Sequence, residues 1–426
     1  MNNWGKQRSD PADNITPNRW LEHFRKLLNN TQMNATAMTV EPTVTIEPIL
    51  DSKISLTEMQ EALAELKTGK APGPDGILVE YLRVFAETFE HTLLNLINKI
   101  FSDYIYPSHW TVNFLKHIFK KRDKDDTDNF RGLAIGSAFA KLFSQILLKR
   151  LTKFFDEKKL LSANQIGFLK GKSTSDHIFL LQTVIEKVVK KGKRKLFVAF
   201  IDFKKAYDTV DRDLLLNRLK SLGINGLFLK NIASMYEKTK YSIKLSKGYL
   251  DPLNSNLGLK QGCPLSPILF NLYIDDIGYI FDEQCDPIEL QGIHLSHFLY
   301  ADDLVIISNT GEGLQKSLDN LHNYSMKKSI SISIKKSKTM IFNLAGKLIK
   351  KYFTISGKPL DPVHTFCYLG FDFKASGSVK YYVLHNKANK AMRSLFLAIA
   401  KFNIPAKTSV IRLSTHIYPQ YCIENV

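Results

Sequence analysis

Residues 297–307 read HFLYADDLVII, and no other stretch limits the folds open to this chain so strongly. Two adjacent aspartates, Asp302 and Asp303, lie between an apolar run with aromatics and a run of branched aliphatics. These runs predict the two strands of a β-hairpin, with the aspartates at its turn. Two carboxylates beside a hydrophobic sheet are costly, because desolvation and mutual repulsion oppose them, and a divalent cation relieves both penalties. The alternative is an ordinary acidic turn, where Asp is common.

A second apolar run, residues 195–203, predicts a central buried strand with Asp202 near its end. A carboxylate on a buried strand needs a cation or hydrogen-bond donors. Asp202 on one strand end, with Asp302 and Asp303 on another, forms a set that can hold two Mg²⁺ ions for nucleotidyl transfer. Two further aspartates, Asp208 and Asp211, are predicted to be helix caps.

The charge balance favours a polyanionic partner. Lys and Arg number 59 against 41 Asp and Glu, a formal net charge of +18, and clustered cations bind nucleic-acid phosphates by releasing counterions. A basic protein kept soluble by its charge is the alternative.

The four cysteines form no C-x-x-C pair, which argues against a zinc site or disulfide framework. No stretch has the composition of a signal peptide or the length of a membrane span, so we expect a soluble intracellular protein without a membrane partner.

Two loops combine glycine with basic residues, and a third basic segment has the pattern of a hairpin. Residues 69–77 and 165–174 are candidates for backbone contacts to phosphate, although a plain connector explains the first equally well. Residues 117–124 and 129–135 alternate cations with strand-forming residues and predict a hairpin, the alternative being a solvated charged loop. Helices are predicted to begin after Thr16 and after the Ser55 capping box, and a single helix is predicted over residues 78–101.

The order of these features resembles that in the reverse transcriptases of non-LTR, or LINE-type, retrotransposons. The resemblance runs from about Trp20 to the C-terminus with the motifs in order. The matching motifs are residues 200–203 (FIDF) with 206–208 (AYD), 261–267 (QGCPLSP), 300–303 (YADD), 335–338 (KKSK) and 366–370 (FCYLG), together with the branch-specific loops 71–76 and 167–174.

The resemblance implies an α+β right-hand polymerase with fingers, a palm of antiparallel sheet flanked by helices, and a partial thumb. It implies RNA-directed DNA synthesis from deoxynucleoside triphosphates on an RNA template and a DNA primer, with two Mg²⁺ ions or Mn²⁺ as a substitute. Asp202, Asp302 and Asp303 would be the catalytic metal ligands. The other implied roles are nucleotide binding by Lys120, Arg131, Phe203, Tyr207, Gln261, Gly262 and Lys336, and a primer grip formed by Tyr368, Leu369 and Gly370.

The implied organisation is a polar linker with one amphipathic helix (residues 1–50), an N-terminal extension of the fingers (51–100), fingers and palm (101–373) and a partial thumb (374–426). The sequence departs from relatives at Gly132, where proline is frequent, and at Ser333, where asparagine is usual. Relatives carry an endonuclease before the polymerase, and none fits ahead of Trp20, so we expect a fragment, a decayed copy or an incomplete gene model. By resemblance the protein would lie in the cytoplasm and nucleus as a ribonucleoprotein; its oligomeric state is not indicated.

Two other functions compete. One is a catalytically idle nucleic-acid-binding remnant of a retrotransposon, which the absent endonuclease and short thumb favour. The other is a template-independent nucleotidyltransferase, which the finger and primer-grip motifs disfavour. The three intact aspartates favour the polymerase.

Overall fold

The computed structural model describes residues 11–29, 47–120, 123–162, 164–169, 171–246, 248–281 and 283–380. The chain forms two compact units, Met1–Leu161 with Lys205–Tyr273, and Ser162–Lys204 with Ile274–Val426. Residues 1–10 and 30–46 of the predicted linker, and residues 381–426 of the predicted thumb, lie outside the described residues.

Helices and strands alternate irregularly along the chain. The helices are α1 (Pro17–Leu28), α2 (Pro48–Asp51), α3 (Leu56–Glu65), α4 (Val79–Thr88), α5 (Glu90–Asp103), α6 (Ser108–Thr111), α7 (Ala138–Lys158), α8 (Thr174–Ile185), α9 (Arg212–Ser221), α10 (Gly226–Glu237), α11 (Ser266–Ile274) and α12 (Gly311–Lys327). The strands are β1 (Val112–Phe119), β2 (Phe130–Ile135), β3 (Leu196–Asp202), β4 (Lys240–Leu245), β5 (Gly248–Tyr249), β6 (Leu253–Asn254), β7 (Ile288–Leu290), β8 (Ile293–Leu295), β9 (His297–Tyr300), β10 (Asp303–Ser308), β11 (Lys338–Phe342), β12 (Phe353–Ile355), β13 (Lys358–Pro362), β14 (Thr365–Tyr368), β15 (Phe371–Lys374) and β16 (Val379–Lys380).

The first unit contains a sheet in the order β2-β1-β4-β5, with β6 also paired to β4. Strands β1 and β2 form the predicted hairpin, and β4 lies parallel to β1. Helix α1 covers this sheet, because Trp20 and Phe24 are buried among sheet residues such as Leu115 and Phe130. The Trp20 ring stacks on His117 with 4.5 Å between centroids. The amphipathic pattern that predicted α1 therefore reflects packing against the sheet.

The second unit is built on a six-stranded sheet in the order β12-β13-β11-β3-β10-β9. Its pairs are antiparallel except β11 with β13. Alternate residues of β3, including Val198 and Phe200, join a buried cluster with the apolar face of α8. Helix α12 packs against β3, β10 and β12. This α+β arrangement of an antiparallel-rich sheet with flanking helices agrees with the predicted fold class.

Two predicted caps are present, and one predicted helix is divided. The Ser55–Glu58 capping box is present, and Asp211 caps α9 by accepting hydrogen bonds from the Asp213 and Leu214 amides. The helix predicted over residues 78–101 is instead two helices, α4 and α5, with Phe89 between them at φ −124 and ψ 39. None of the helices in the described part of the chain combines the length and the hydropathy of a membrane-spanning segment.

Candidate active site

The turn between β9 and β10 places carboxylates at one end of the second unit's sheet. Asp303 pairs in register with Asp202 on β3 and with Tyr300 on β9. The two residues of the turn are Ala301, at φ 53, and Asp302, which is half-buried. The predicted hairpin is thus present. The strand pairing, rather than any local motif, brings Asp202 beside a carboxylate that lies 101 positions later in the sequence.

Asp202 is held by the turn that follows α12. Its amide donates to the Ser337 hydroxyl at 3.1 Å, and its carbonyl accepts from the Ser333 amide at 2.8 Å. Lys336 Nζ lies 3.2 Å from Asp202 Oδ2, an ion-pair distance. Ser333, the position where relatives carry asparagine, is buried and contributes through its backbone. The predicted lysine motif therefore lies directly on the end of β3.

The oxygens present suit a divalent cation. Within the described ranges, no group of three or more His, Cys, Asp and Glu side chains is already arranged to hold a metal ion. Asp202 Oδ2 is nevertheless inaccessible to solvent and makes no hydrogen bond within the described part of the chain, and the Lys336 ammonium is the charge beside it. A carboxylate oxygen in that state is what a hard cation binds. Asp202 and Asp303, with Asp302 on the adjoining turn, are the residues that would hold it.

The predicted primer-grip residues form the tip of the β14–β15 hairpin. Leu369 and Gly370 are its two turn residues, at φ 47 and 88. Tyr368 is buried, its hydroxyl lies 3.4 Å from His177 Nδ1, and burial together with the charge of Asp303 raises its pKa. Burial also lowers the pKa of His177 to about 4, so this histidine is neutral at pH 7. Tyr368 therefore packs in the buried cluster that also contains Phe200 of β3 and Val305 of β10, the strands that carry Asp202 and Asp303.

In the first unit, four predicted or neighbouring polar residues surround Asp208. Its carboxylate accepts a hydrogen bond from Gln261 Nε2 at 2.7 Å. Burial raises the pKa of Asp208 to about 6, against the opposing charges of Lys205, Lys120 and Arg131 and that hydrogen bond. The predicted capping role of Asp208 is wrong, because the carboxylate is directed to Gln261 and not to a helix amide. Lys120 and Arg131 are exposed near the ends of the β1–β2 hairpin.

The QGCPLSP loop is fixed against β2. The Gln261 carbonyl accepts from the Ala134 amide at 2.6 Å. Gly262 has φ 112, and a Cβ atom there would lie 2.6 Å from the Ala134 carbonyl oxygen. Only glycine permits this approach. The hydrogen bond at Gln261 and the glycine at position 262 therefore fix the position of the loop backbone against β2.

Two predicted nucleotide-binding aromatics have different surroundings. Tyr207 is half-buried in a 3-10 helical turn, Ala206–Thr209, and its ring stacks on Phe270 with centroids 4.5 Å apart. Phe203 is buried and forms a β-bridge with Ile332. The predicted roles of both residues in nucleotide binding stay predictions.

Sequence reasoning missed Gln165. The sequence of the loop that contains it predicts only backbone contacts to phosphate. Its side chain is buried, and its Oε1 accepts from the amides of Gly167 at 2.9 Å and Ala301 at 3.0 Å. No local pattern reveals a contact that spans 136 residues, although a glutamine in an otherwise apolar and glycine-containing segment is a signal of a buried amide.

Comparison with known proteins identifies a matching family. The family model described as reverse transcriptase (RNA-dependent DNA polymerase) matches residues 119–373. The chain is 28% identical to a Pol polyprotein from the type-1 retrotransposable element R2 of Popillia japonica, over 77% of this chain and 46% of that protein. It is 24% identical to an uncharacterized 149 kDa protein of transposon TX1 from Xenopus laevis, over 68% of this chain and 22% of that protein.

A third relative is the RNA-directed DNA polymerase from the mobile element jockey of Drosophila funebris, 24% identical over 74% of this chain and 35% of that protein. The chain thus spans less than half the length of these relatives. Among solved structures, apo telomerase from Candida tropicalis truncated from its C-terminal domain matches 67% of this chain and 60% of that chain, with a TM-score of 0.47 and 13% sequence identity.

Proposed function

The chain belongs to the reverse transcriptase (RNA-dependent DNA polymerase) family, and we propose on that premise that it synthesises DNA on an RNA template. Similarity to proteins of R2, jockey and TX1 elements confirms the resemblance to the non-LTR branch. The family match also confirms the predicted right-hand polymerase class. We assign residues 101–373 to fingers and palm, with the six-stranded sheet as the palm.

One observation carries the catalytic proposal, namely the pairing of Asp303 with Asp202 beside the Asp302 turn. Reverse transcriptases use divalent metal ions, and here we propose two Mg²⁺ ions, replaceable by Mn²⁺, held by Asp202, Asp302 and Asp303. Bound ions of this kind activate the attacking hydroxyl and stabilise the leaving oxygen. The protein's part is to hold three carboxylates at fixed positions, two on neighbouring strands and one on the turn.

The cations of the first unit are assigned to the triphosphate. Arg131 offers a rigid guanidinium fork and Lys120 a mobile ammonium, and both suit phosphate oxygens. This assignment is supported by their charges, which lower the pKa of Asp208, the carboxylate that accepts from Gln261. We propose that Gln261 and Gly262 let template and incoming nucleotide approach the backbone.

The remaining predicted residues receive supporting roles. Phe203 and Tyr207 would contact the nucleotide, and Lys336 would donate a proton to the pyrophosphate leaving group. The turn at Tyr368, Leu369 and Gly370 would hold the primer. The partners that these assignments require are an RNA template, a DNA primer and deoxynucleoside triphosphates.

A primer-extension assay tests the proposal. Purified protein is incubated with a labelled DNA primer annealed to matched RNA or DNA templates, Mg²⁺ or Mn²⁺, and the four deoxynucleoside triphosphates. We expect extension on RNA that stops when the metal is chelated. Binding of template–primer without extension under either metal would favour the idle remnant. Addition of nucleotides to a primer without template would favour the template-independent enzyme.

A further inference from the structure

The turn that carries Asp302 has an unfavourable backbone. Ala301, its first residue, has φ 53, a left-handed conformation that side chains with a Cβ atom rarely adopt and that glycine usually supplies at hairpin turns. Something outside the hairpin must therefore keep Ala301 in this conformation, since its own preference is for another.

The Gln165 side chain makes the compensating contacts. Its Oε1 accepts from the Ala301 amide at 3.0 Å, and its Nε2 lies 3.4 Å from the Ala301 carbonyl oxygen, to which it donates. Oε1 also accepts from the Gly167 amide at 2.9 Å. Gln165 has 1% of its surface exposed, so these hydrogen bonds are shielded from water. Removing one partner would leave a buried polar group without a hydrogen bond, which lowers the free energy of unfolding. One side chain thus serves both backbone polar groups of Ala301.

The backbone around Gln165 is fixed to the same hairpin. The Leu299 amide donates to the Asn164 carbonyl at 2.9 Å, and the Ile166 amide donates to the Leu299 carbonyl at 3.1 Å. Gly167 lies so close to the turn that a Cβ atom at this position would be 2.3 Å from the Ala301 nitrogen. The amide group of Gln165 is therefore delivered to the turn by a segment that cannot shift independently of β9.

We infer that Gln165 is a positioning residue for the catalytic turn: it holds Ala301 left-handed so that Asp302 and Asp303 face the metal. It acts through the backbone and does not touch substrate. This inference rests on the proposed function, and it gives the segment 164–167 a role different from phosphate binding.

The main test compares two glutamine substitutions in the same unit. Gln165→Met keeps the length of the side chain and removes its hydrogen bonds. Gln315→Met is the matched control, because Gln315 makes a similar amide pair with the backbone of Thr354, its Nε2 donating at 2.9 Å and its Oε1 accepting at 3.0 Å. We expect Gln165→Met to lower kcat for extension about 10- to 100-fold, as the loss of a residue that orients metal ligands does. The KM for nucleotide and the Kd for template–primer should change little.

Mn²⁺ binding to the free protein, followed by electron paramagnetic resonance, gives a readout that does not depend on turnover. Gln165→Met should weaken this binding by about tenfold, whereas Gln315→Met should leave both Mn²⁺ binding and kcat within about twofold of wild type. If both variants lost kcat and Mn²⁺ affinity equally, and these losses followed the decrease in melting temperature, Gln165 would be only a structural residue. If wild type binds Mn²⁺ but extends no primer, the proposed function fails and the metal comparison still decides the inference.

A rescue variant covers the case in which Gln165→Met folds poorly. Ala301→Gly makes the left-handed conformation accessible without outside support. In the Gln165→Met background it should restore folding and part of the lost Mn²⁺ affinity. A double variant with no gain over Gln165→Met would show that the glutamine does not act through Ala301, and would overturn the inference.

Discussion

At the scale of single residues, each of the two units holds a carboxylate close to cationic side chains. Lys336 Nζ lies 3.2 Å from Asp202 Oδ2, and the half-buried Asp208 accepts a hydrogen bond from Gln261 while the charges of Lys205, Lys120 and Arg131 lower its pKa. A half-buried tyrosine, Tyr207, lies five residues after Asp202 in the sequence. Each of these residues has a consequence that a substitution can measure.

Substitutions of Tyr207 can show whether this residue selects the sugar of the nucleotide or only packs in the fold. If its ring lies under the sugar of the incoming nucleotide, it excludes a 2′-hydroxyl. Tyr207→Val should then raise the ribo-to-deoxy ratio of kcat/KM by roughly tenfold or more, the effect of one steric group in a pocket. Tyr207→Phe keeps the ring that stacks on Phe270 and should leave the ratio unchanged. If Tyr207→Val lowers both rates together without changing the ratio, Tyr207 is a packing residue.

Asp208 makes stability depend on pH. Its folded-state pKa, about 6, lies above the ordinary value of 3.8, so its contribution to stability is full below pH 3.8 and is lost as the pH rises through 6. Asp208→Asn still offers an oxygen to Gln261 but cannot ionise. The free energy of unfolding of Asp208→Asn should therefore exceed that of wild type by about 3 kcal/mol at pH 7, and by much less at pH 4. Urea denaturation at the two pH values measures this, and an equal difference at both would contradict it.

The sequence predicts some of these residues and not others. Asp202 and Asp303 could be predicted to be neighbours because each follows or begins an apolar strand, and strands of one unit form a sheet. Gln165 and the partner of Asp208 could not, because their bonds span 136 and 53 residues. The sequence predicts a cap at Asp208 because it shows only short-range partners, whereas the observed donor, Gln261, lies 53 residues away.

At the scale of elements, a single buried arginine organises the segment leading into the QGCPLSP loop. The Arg212 guanidinium donates to the carbonyls of Gly258, Tyr236, Ser255 and Leu257 at 2.6–3.0 Å. The loop that follows then docks on β2 through Gly262.

Helix boundaries are harder to predict from the sequence. Phe89 separates α4 from α5 although the apolar pattern continues across it. A single non-helical residue does not interrupt the periodicity of apolar residues, so the pattern does not reveal the break.

Gly262→Ala tests the docking of this loop. The new methyl group would meet the Ala134 carbonyl and push the loop from β2, which should lower extension roughly 10- to 100-fold, since a displacement of about 1 Å can cost 10²-fold. Gly223→Ala is the control: Gly223 also has a positive φ, 83, but an added Cβ meets nothing within 4 Å. It should cost about 1 kcal/mol of stability from backbone strain and leave the rate intact. Similar rates in both variants would count against the loop assignment.

At the scale of the whole molecule, charge is the main feature, with a formal net charge of +18. The strand and helix content of both units was largely predictable, because it follows from apolar periodicity. The partition of the chain into two discontinuous units was not, since it depends on pairings between distant segments.

Affinity for template–primer should therefore fall steeply with salt. A protein making six phosphate contacts loses about 10³-fold in affinity between 50 and 200 mM salt. Fluorescence anisotropy of a labelled RNA–DNA template–primer at a fixed Mg²⁺ concentration measures the slope. A Kd that barely moves over this range would argue against binding through phosphates.

Extension by Asp302→Asn tests the catalytic proposal most directly. The amide keeps the size of the carboxylate and removes the charge that a hard cation needs. Extension on an RNA template should fall by more than the roughly 100-fold that loss of a residue supporting a metal ligand costs, while template–primer affinity and melting temperature stay near wild type. Asp361→Asn, which breaks only an exposed ion pair with Lys338, is the matched control and should extend normally. Extension by Asp302→Asn within a few-fold of wild type would contradict the assignment of Asp202, Asp302 and Asp303 as the metal-binding catalytic residues.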